Sequence, residues 1–359
     1  MAGITGQVDA GGLDVSAQRH PAGAAPPRAG DMAERVRIDG LQYSNWSRAI
    51  FEEMRAAGLD AVHVTAAYWE SARELMANIG AWHRRFEAHA DLIMPIRTAA
   101  DIDRAKASGR TGIILGLQNC SPIEDSIDLV SVFKQLDVHI MQLSYNNQSL
   151  LCSGYLEDDD SGLSRFGREA IREMNRVGMV VDTSHTAERS TLEAIEYSSR
   201  PTVVSHANPQ SVRDTPRNKS ERVMRALAES GGLMGFSCYP FHLPARSDTT
   251  LEAFTEMVAR AVDVMGVSHL AIGTDLCQDQ PIEVLSWMRN GHWARVMDYG
   301  EGSADQPDWP APLGWLRGAA DFPNIEQGLE KRGFSSPEVD ALIGGNWRRF
   351  LDGALQPQG

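Results

Sequence analysis

Three apolar runs in this 359-residue chain end in residues able to bind a metal or move a proton. Val-Val-Asp-Thr-Ser-His closes on His185, Thr-Val-Val-Ser-His on His206, and Ala-Ile-Gly-Thr-Asp on Asp275. An ionisable group at the end of an apolar run is costly to bury without a partner. Two neutral imidazoles and a carboxylate form a common first shell for zinc or another first-row divalent ion. Any one of them alone reads more simply as a hydrogen-bonded core residue. Repetition at three run ends is what points to a metal or catalytic centre.

Other polar residues occupy comparable positions. Gln118 ends a further run, as an amide-oxygen ligand, a substrate partner or a satisfied polar residue. Tyr145 could orient a substrate carbonyl or simply pack its ring, and Tyr239 follows another run as a substrate-binding candidate. Arg217 lies 11 residues beyond His206, where a guanidinium could clamp a carboxylate or cap a helix. His63 alternates with Val62 and Val64 and faces away from both. It becomes a third nitrogen ligand if it points inward, and is otherwise a buried structural histidine. The acidic run at 157–160 reads as a solvated loop, and His139, His242, His269 and His292 share no spacing.

The elements that must position these groups are eight candidate strands, at 36–41, 60–65, 111–118, 138–144, 178–184, 201–206, 232–237 and 268–275. Amphipathic stretches such as Trp-Ser-Arg-Ala-Ile-Phe-Glu-Glu-Met lie between them, several ending in glycine as helices often do. Near-continuous apolar strands, each followed by a helix, imply a covered parallel sheet. Eight such units imply closure into a (β/α)₈ TIM barrel. An open doubly wound sheet would carry a Gly-rich fingerprint after its first strand, and the first turn here reads Gly-Leu-Gln-Tyr-Ser-Asn-Trp. Residues 1–33, rich in Gly, Ala and Pro, are expected to form a disordered arm, and 34–354 a single barrel domain. The Trp/Pro/Asp-rich stretch 279–325 is expected to be a long excursion over the active face or a dimer surface. The late helical pattern is expected against the barrel's bottom or side. Barrel enzymes carry their chemistry at the C-terminal strand ends, where Gln118, Tyr145, His185, His206, Tyr239 and Asp275 all fall at or just beyond the runs.

Composition narrows the partners. Lys plus Arg number 34 against 48 Asp plus Glu, a net charge of −14, which disfavours nucleic acid and anionic membrane surfaces. Four scattered cysteines form no zinc-ribbon or disulfide framework. No leader-like or membrane-spanning run is evident, so a cytoplasmic protein is expected.

The segment from Gly162 through Leu276, with Val-Val-Asp-Thr-Ser-His-Thr-Ala-Glu-Arg-Ser, Pro-Thr-Val-Val-Ser-His-Ala-Asn-Pro, Thr-Pro-Arg-Asn-Lys-Ser and Ala-Ile-Gly-Thr-Asp in this order, resembles the membrane (renal) dipeptidase family. The resemblance extends over about 36–354, and Gly-Gly-Asn-Trp-Arg-Arg-Phe is similar to the family's terminal helix. It implies a (β/α)₈ barrel, often a homodimer, that hydrolyses dipeptides or related small amides with two bridged zinc ions. By this resemblance His185 and His206 bind the second metal, Asp275 serves the first, and Arg217 holds the substrate's terminal carboxylate. The family's Asp-Gly-His-x-Asp, source of two first-metal ligands, reads here Asp39-Gly40-Leu41-Gln42-Tyr43. Gln118 stands for the bridging glutamate, and Tyr145 for a substrate-facing histidine.

Two divalent ions bring four positive charges, and only Asp275 of the usual three carboxylates remains, so a close metal pair is strongly unfavourable. The expectation is a dipeptidase-like hydrolase with at most one divalent ion on His185 and His206, completed by Gln118, Asp275 or His63. Asp275 would accept a proton, and Tyr145 or Gln118 would stabilise the oxyanion. The competing expectation is a catalytically silent barrel binding a small carboxylated ligand. A lyase or deaminase-like enzyme is a third, since fold does not fix function.

Overall fold

The computed structural model describes residues 35–292, 294–300 and 302–357. The expected arm at 1–33 lies outside them.

Eight parallel strands run side by side in sequence order: β1 (Ile38–Gln42), β2 (Ala61–Ala67), β4 (Thr111–Leu117), β5 (Val138–Gln142), β6 (Val180–Asp182), β7 (Val203–Ala207), β8 (Leu233–Phe236) and β9 (Leu270–Ile272). All eight expected strands are present. A ninth, β3 (Ile93–Pro95), was not anticipated; it pairs with β4 outside the main path, and three residues are too few to show a period. The barrel closes where the Asp275 amide donates to the Leu41 carbonyl at 3.0 Å and the Tyr43 amide to the Leu276 carbonyl at 2.8 Å.

Strand alternation sorts the side chains. Val62 and Val64 pack outward with Ile50, Phe51 and Met54 of the helix Arg48–Ala56. Ile38, Ala61, Ile114, Ile140, Val180, Val203, Leu233 and Ala271, one from each stave, fill the lower interior. Trp347 of the terminal helix Asn346–Ala354 plugs this layer from below, its indole N–H donating to the Ile272 carbonyl at 2.9 Å. Two residues further along the staves come Gly40, His63, Gly116, Gln142, Asp182, Ser205, Gly235 and Gly273. Half of this layer is glycine, and the space it frees admits polar groups. A methyl on Gly116 would lie 2.0 Å from His63 Nε2, and one on Gly235 or Gly273 would lie 2.1 or 2.0 Å from the Ser205 carbonyl oxygen.

The excursion lies on the active face. It carries the helix Ile282–Asn290 and contributes Leu285, Met288, Arg289 and Gly300 to the cleft described below. Among the described residues no helix is long and apolar enough to cross a membrane.

Candidate metal and active centre

The C-terminal strand ends surround a cleft of about 520 Å³, open mouth included, whose walls include Gln118, Tyr145, Asn146, His185, Tyr239 and Asp275. Of the expected site residues, it gathers Gln118, Tyr145, His185, Tyr239 and Asp275. His206 stands directly behind His185: their Nε2 atoms are 3.0 Å apart. The pairing of β7 with β8 shifts register between Val204 and Ala207, the stretch that carries His206.

The far side of each ring fixes its tautomer. His185 Nδ1 lies 2.7 Å from the amide oxygen of Asn146, which can only accept, so Nδ1 carries the proton. Ser205 donates its one hydroxyl proton to the buried Asp182 carboxylate at 2.5 Å. It must therefore accept from His206 Nδ1, 2.8 Å away. Both Nε2 atoms are left with lone pairs aimed at one another. Burial, and then the Arg217 guanidinium, push both imidazoles well below the usual histidine range, so an added proton is disfavoured at neutral pH. A divalent cation resolves the conflict. Two nitrogens each about 2.1 Å from a tetrahedral ion lie roughly 3.4 Å apart, close to the observed spacing. Metal-bound histidines commonly donate their other N–H to such outer partners. The two Nε2 atoms are thus a donor pair suited to a divalent ion.

Leu41 is fully buried, and Tyr43 packs edge-on against Tyr68 at 4.7 Å. Tyr68 meets Tyr145 at 4.9 Å, and Tyr145 stacks on His185 at 4.3 Å. The Tyr43 ring thus stands where the resemblance puts one first-metal ligand, and Leu41 where it puts the other. Among the described residues no three His, Cys, Asp or Glu side chains converge as a metal group. His63, expected as a third nitrogen ligand or a buried structural histidine, forms no three-residue metal group with the pair: its Nδ1 donates to the Gly40 carbonyl at 2.7 Å, and Nε2 has no hydrogen-bond partner among the described residues.

Gln118 spends its amide protons on Thr65 Oγ1 at 2.8 Å and the Tyr68 hydroxyl at 2.9 Å, which leaves the carbonyl oxygen as its contribution to the cleft. Burial, and then the Asp275 charge, raise the Tyr145 phenol well above its normal value, so it stays protonated. Asp275 holds a left-handed conformation, φ 59°, which aspartate tolerates better than most residues. Arg217 is wholly buried and does not line the cleft. It donates to the carbonyls of Ser184 (2.7 Å) and His206 (2.8 Å), bracing both histidine strands. The cleft walls include Arg289, whose Nη1 donates to the Pro307 carbonyl at 2.8 Å.

A family model for the membrane dipeptidases (Peptidase family M19) matches residues 33–286. The chain belongs to this family. Dipeptidase verJ of Clonostachys rogersoniana is 28% identical over 295 residues, covering 80% of this chain and 67% of the relative; dipeptidase tcpJ of Claviceps purpurea is 24% identical, covering 80% and 61%. The chain thus spans about two-thirds of the length of these curated relatives. A crystal structure of an amidohydrolase from Pseudomonas aeruginosa superposes with a TM-score of 0.84 at 37% identity, covering 90% of this chain and 97% of that one. A metallo peptidase from Rhodobacter sphaeroides, liganded with a phosphinate mimic of the dipeptide L-Ala-D-Ala, shares the fold at TM-score 0.74 and 16% identity.

Asn146 stands beside Tyr145 at a strand end in the sequence, but sequence alone does not single out Asp182, Ser205 or Arg289. Asp182 and Ser205 did leave a signal, as polar residues inside apolar runs and just before the two histidines. Arg289 left none, because it reaches the cleft on a helix of the long excursion, Ile282–Asn290.

Proposed function

We propose that this barrel is a dipeptidase-like hydrolase of small amides bearing a free carboxylate, working with a single divalent ion, zinc or a similar metal, held by His185 and His206. The observation that carries this reading is the pair of Nε2 lone pairs converging at 3.0 Å, each tautomer set from behind. A bound divalent ion supplies a lowered water pKa and a polarised carbonyl.

The chain's own groups supply the rest. Asp275, at the cleft wall, accepts the water proton and returns it to the leaving amine. The protonated Tyr145 phenol donates to the developing oxyanion. The Gln118 carbonyl oxygen offers a neutral ligand. Arg289 takes the substrate carboxylate, while Arg217 works from behind by holding the Ser184 and His206 carbonyls. Tyr239 lines the substrate's flank. We further propose a cytoplasmic homodimer.

A screen of metal-loaded protein against dipeptides, dehydrodipeptides and N-acyl amino acids tests the activity. Hydrolysis that is lost in Asp275→Asn and abolished by chelation is expected. Turnover indifferent to chelator would refute the mechanism. Among the described residues no three acidic, histidine or cysteine ligands converge, which favours the second reading, a non-catalytic receptor for a carboxylated ligand. Carboxylate binding without turnover in the metal-loaded protein would establish it.

A further inference from the structure

A second cleft, about 660 Å³ with its open mouth, lies beside the first between the loops after β1 and β2 and the helix Ala72–Ala88. Arg85 sits three and four residues after Trp82 and Ala81, so the three share the helix face that lines this cleft. Trp46 packs on Trp82 at 5.4 Å and extends the aromatic wall. The Arg85 guanidinium lies 5.1 Å above the Trp82 ring, half-buried, and makes no ion pair with a carboxylate among the described residues. Glu70, also half-buried, accepts from the Tyr68 amide at 2.6 Å and from the Trp69 and its own amides, and pairs with no cation among them. The Ser44 hydroxyl in the same wall is buried and has no hydrogen-bond partner among the described residues.

One positive and one negative group therefore face a shared, partly apolar space without neutralising each other. A simple anion would satisfy Arg85 and meet Glu70 as a like charge, and a simple cation would do the reverse. A ligand carrying both signs meets both demands. We propose that this cleft binds a free α-amino acid with an apolar side chain, its carboxylate on Arg85, its ammonium toward Glu70 and its side chain against Trp46 and Ala81. Thr65 lines this cleft and accepts from Gln118, which lines the first, so the two clefts share a wall.

Calorimetric titration of the full chain with L-leucine, isovalerate and isoamylamine tests the proposal. L-Leucine should bind at least about tenfold more tightly than either single-charge analogue, and R85Q and E70Q should each lose about tenfold in affinity. A81L, which fills the space without touching a charge, should abolish binding, whereas His185→Ala should leave it intact. No binding of L-leucine, equal binding of isovalerate, or loss of binding in His185→Ala with retention in R85Q would overturn it. None of these outcomes depends on hydrolytic activity.

Discussion

Ser205 bears most directly on the argument from tautomers. Its hydroxyl gives its proton to Asp182 and so receives the proton of His206 Nδ1. In Ser205→Ala, Nδ1 loses its acceptor and the ring gains by moving its proton to Nε2. There it donates to His185 Nε2, 3.0 Å away, and the two rings satisfy each other without a metal. The substitution thus weakens the ion's site and stabilises the metal-free pair. Loss of such an outer partner costs about ten- to hundredfold in metal affinity, roughly 1.4–2.8 kcal/mol. Ser205→Thr keeps the hydroxyl and should retain most of the affinity. Competition for zinc with a chromophoric chelator at fixed pH measures both variants. Equal affinity in wild type, Ser205→Ala and Ser205→Thr would show that the hydroxyl does not set the tautomer, and the reasoning would fail.

Three further outcomes follow from the packing. Gly273→Ala puts a methyl 2.0 Å from the Ser205 carbonyl and 3.5 Å from His206 Cβ. It should cost about 1–3 kcal/mol and weaken metal binding as β7 shifts, and a thermal melt with and without zinc reads both effects. Glu326, almost wholly buried, takes charge-assisted bonds from Arg35 at 2.5 Å and Arg37 at 2.8 Å. Glu326→Ala strands buried charge and should lose about 3–5 kcal/mol in urea unfolding with the cleft chemistry unchanged. His139 is pushed down to about 3, first by burial and then by Lys134. Between that value and the unfolded-state value near 6.5, the unfolded chain binds the extra proton. Stability should therefore fall as pH drops through this window, by up to about 1.4 kcal/mol per pH unit, and His139→Asn should flatten that part of the profile.

The strands were legible because each is an apolar run bounded by turn residues, and the barrel because eight such runs alternate with amphipathic helices. The histidine pair was legible because both rings end such runs. Bonding roles were harder to read. Arg217 stood in a substrate-like loop position, yet backbone carbonyls of two strand ends draw it wholly inside. His63 does face inward, as its alternation with valines suggested, but the Gly40 carbonyl pins it below the mouth. Tyr43 and Tyr145 read as isolated replacements in the sequence. In space they belong to one aromatic chain with Tyr68 that ends on the face of His185. Contacts of this kind depend on loop paths that no local pattern encodes.

Metal stoichiometry tests the central claim most directly. After loading with excess zinc and desalting, the wild-type chain should retain one ion, and His185→Ala and His206→Ala should each retain none. Two ions per wild-type chain, or an undiminished ion in His206→Ala, would contradict it.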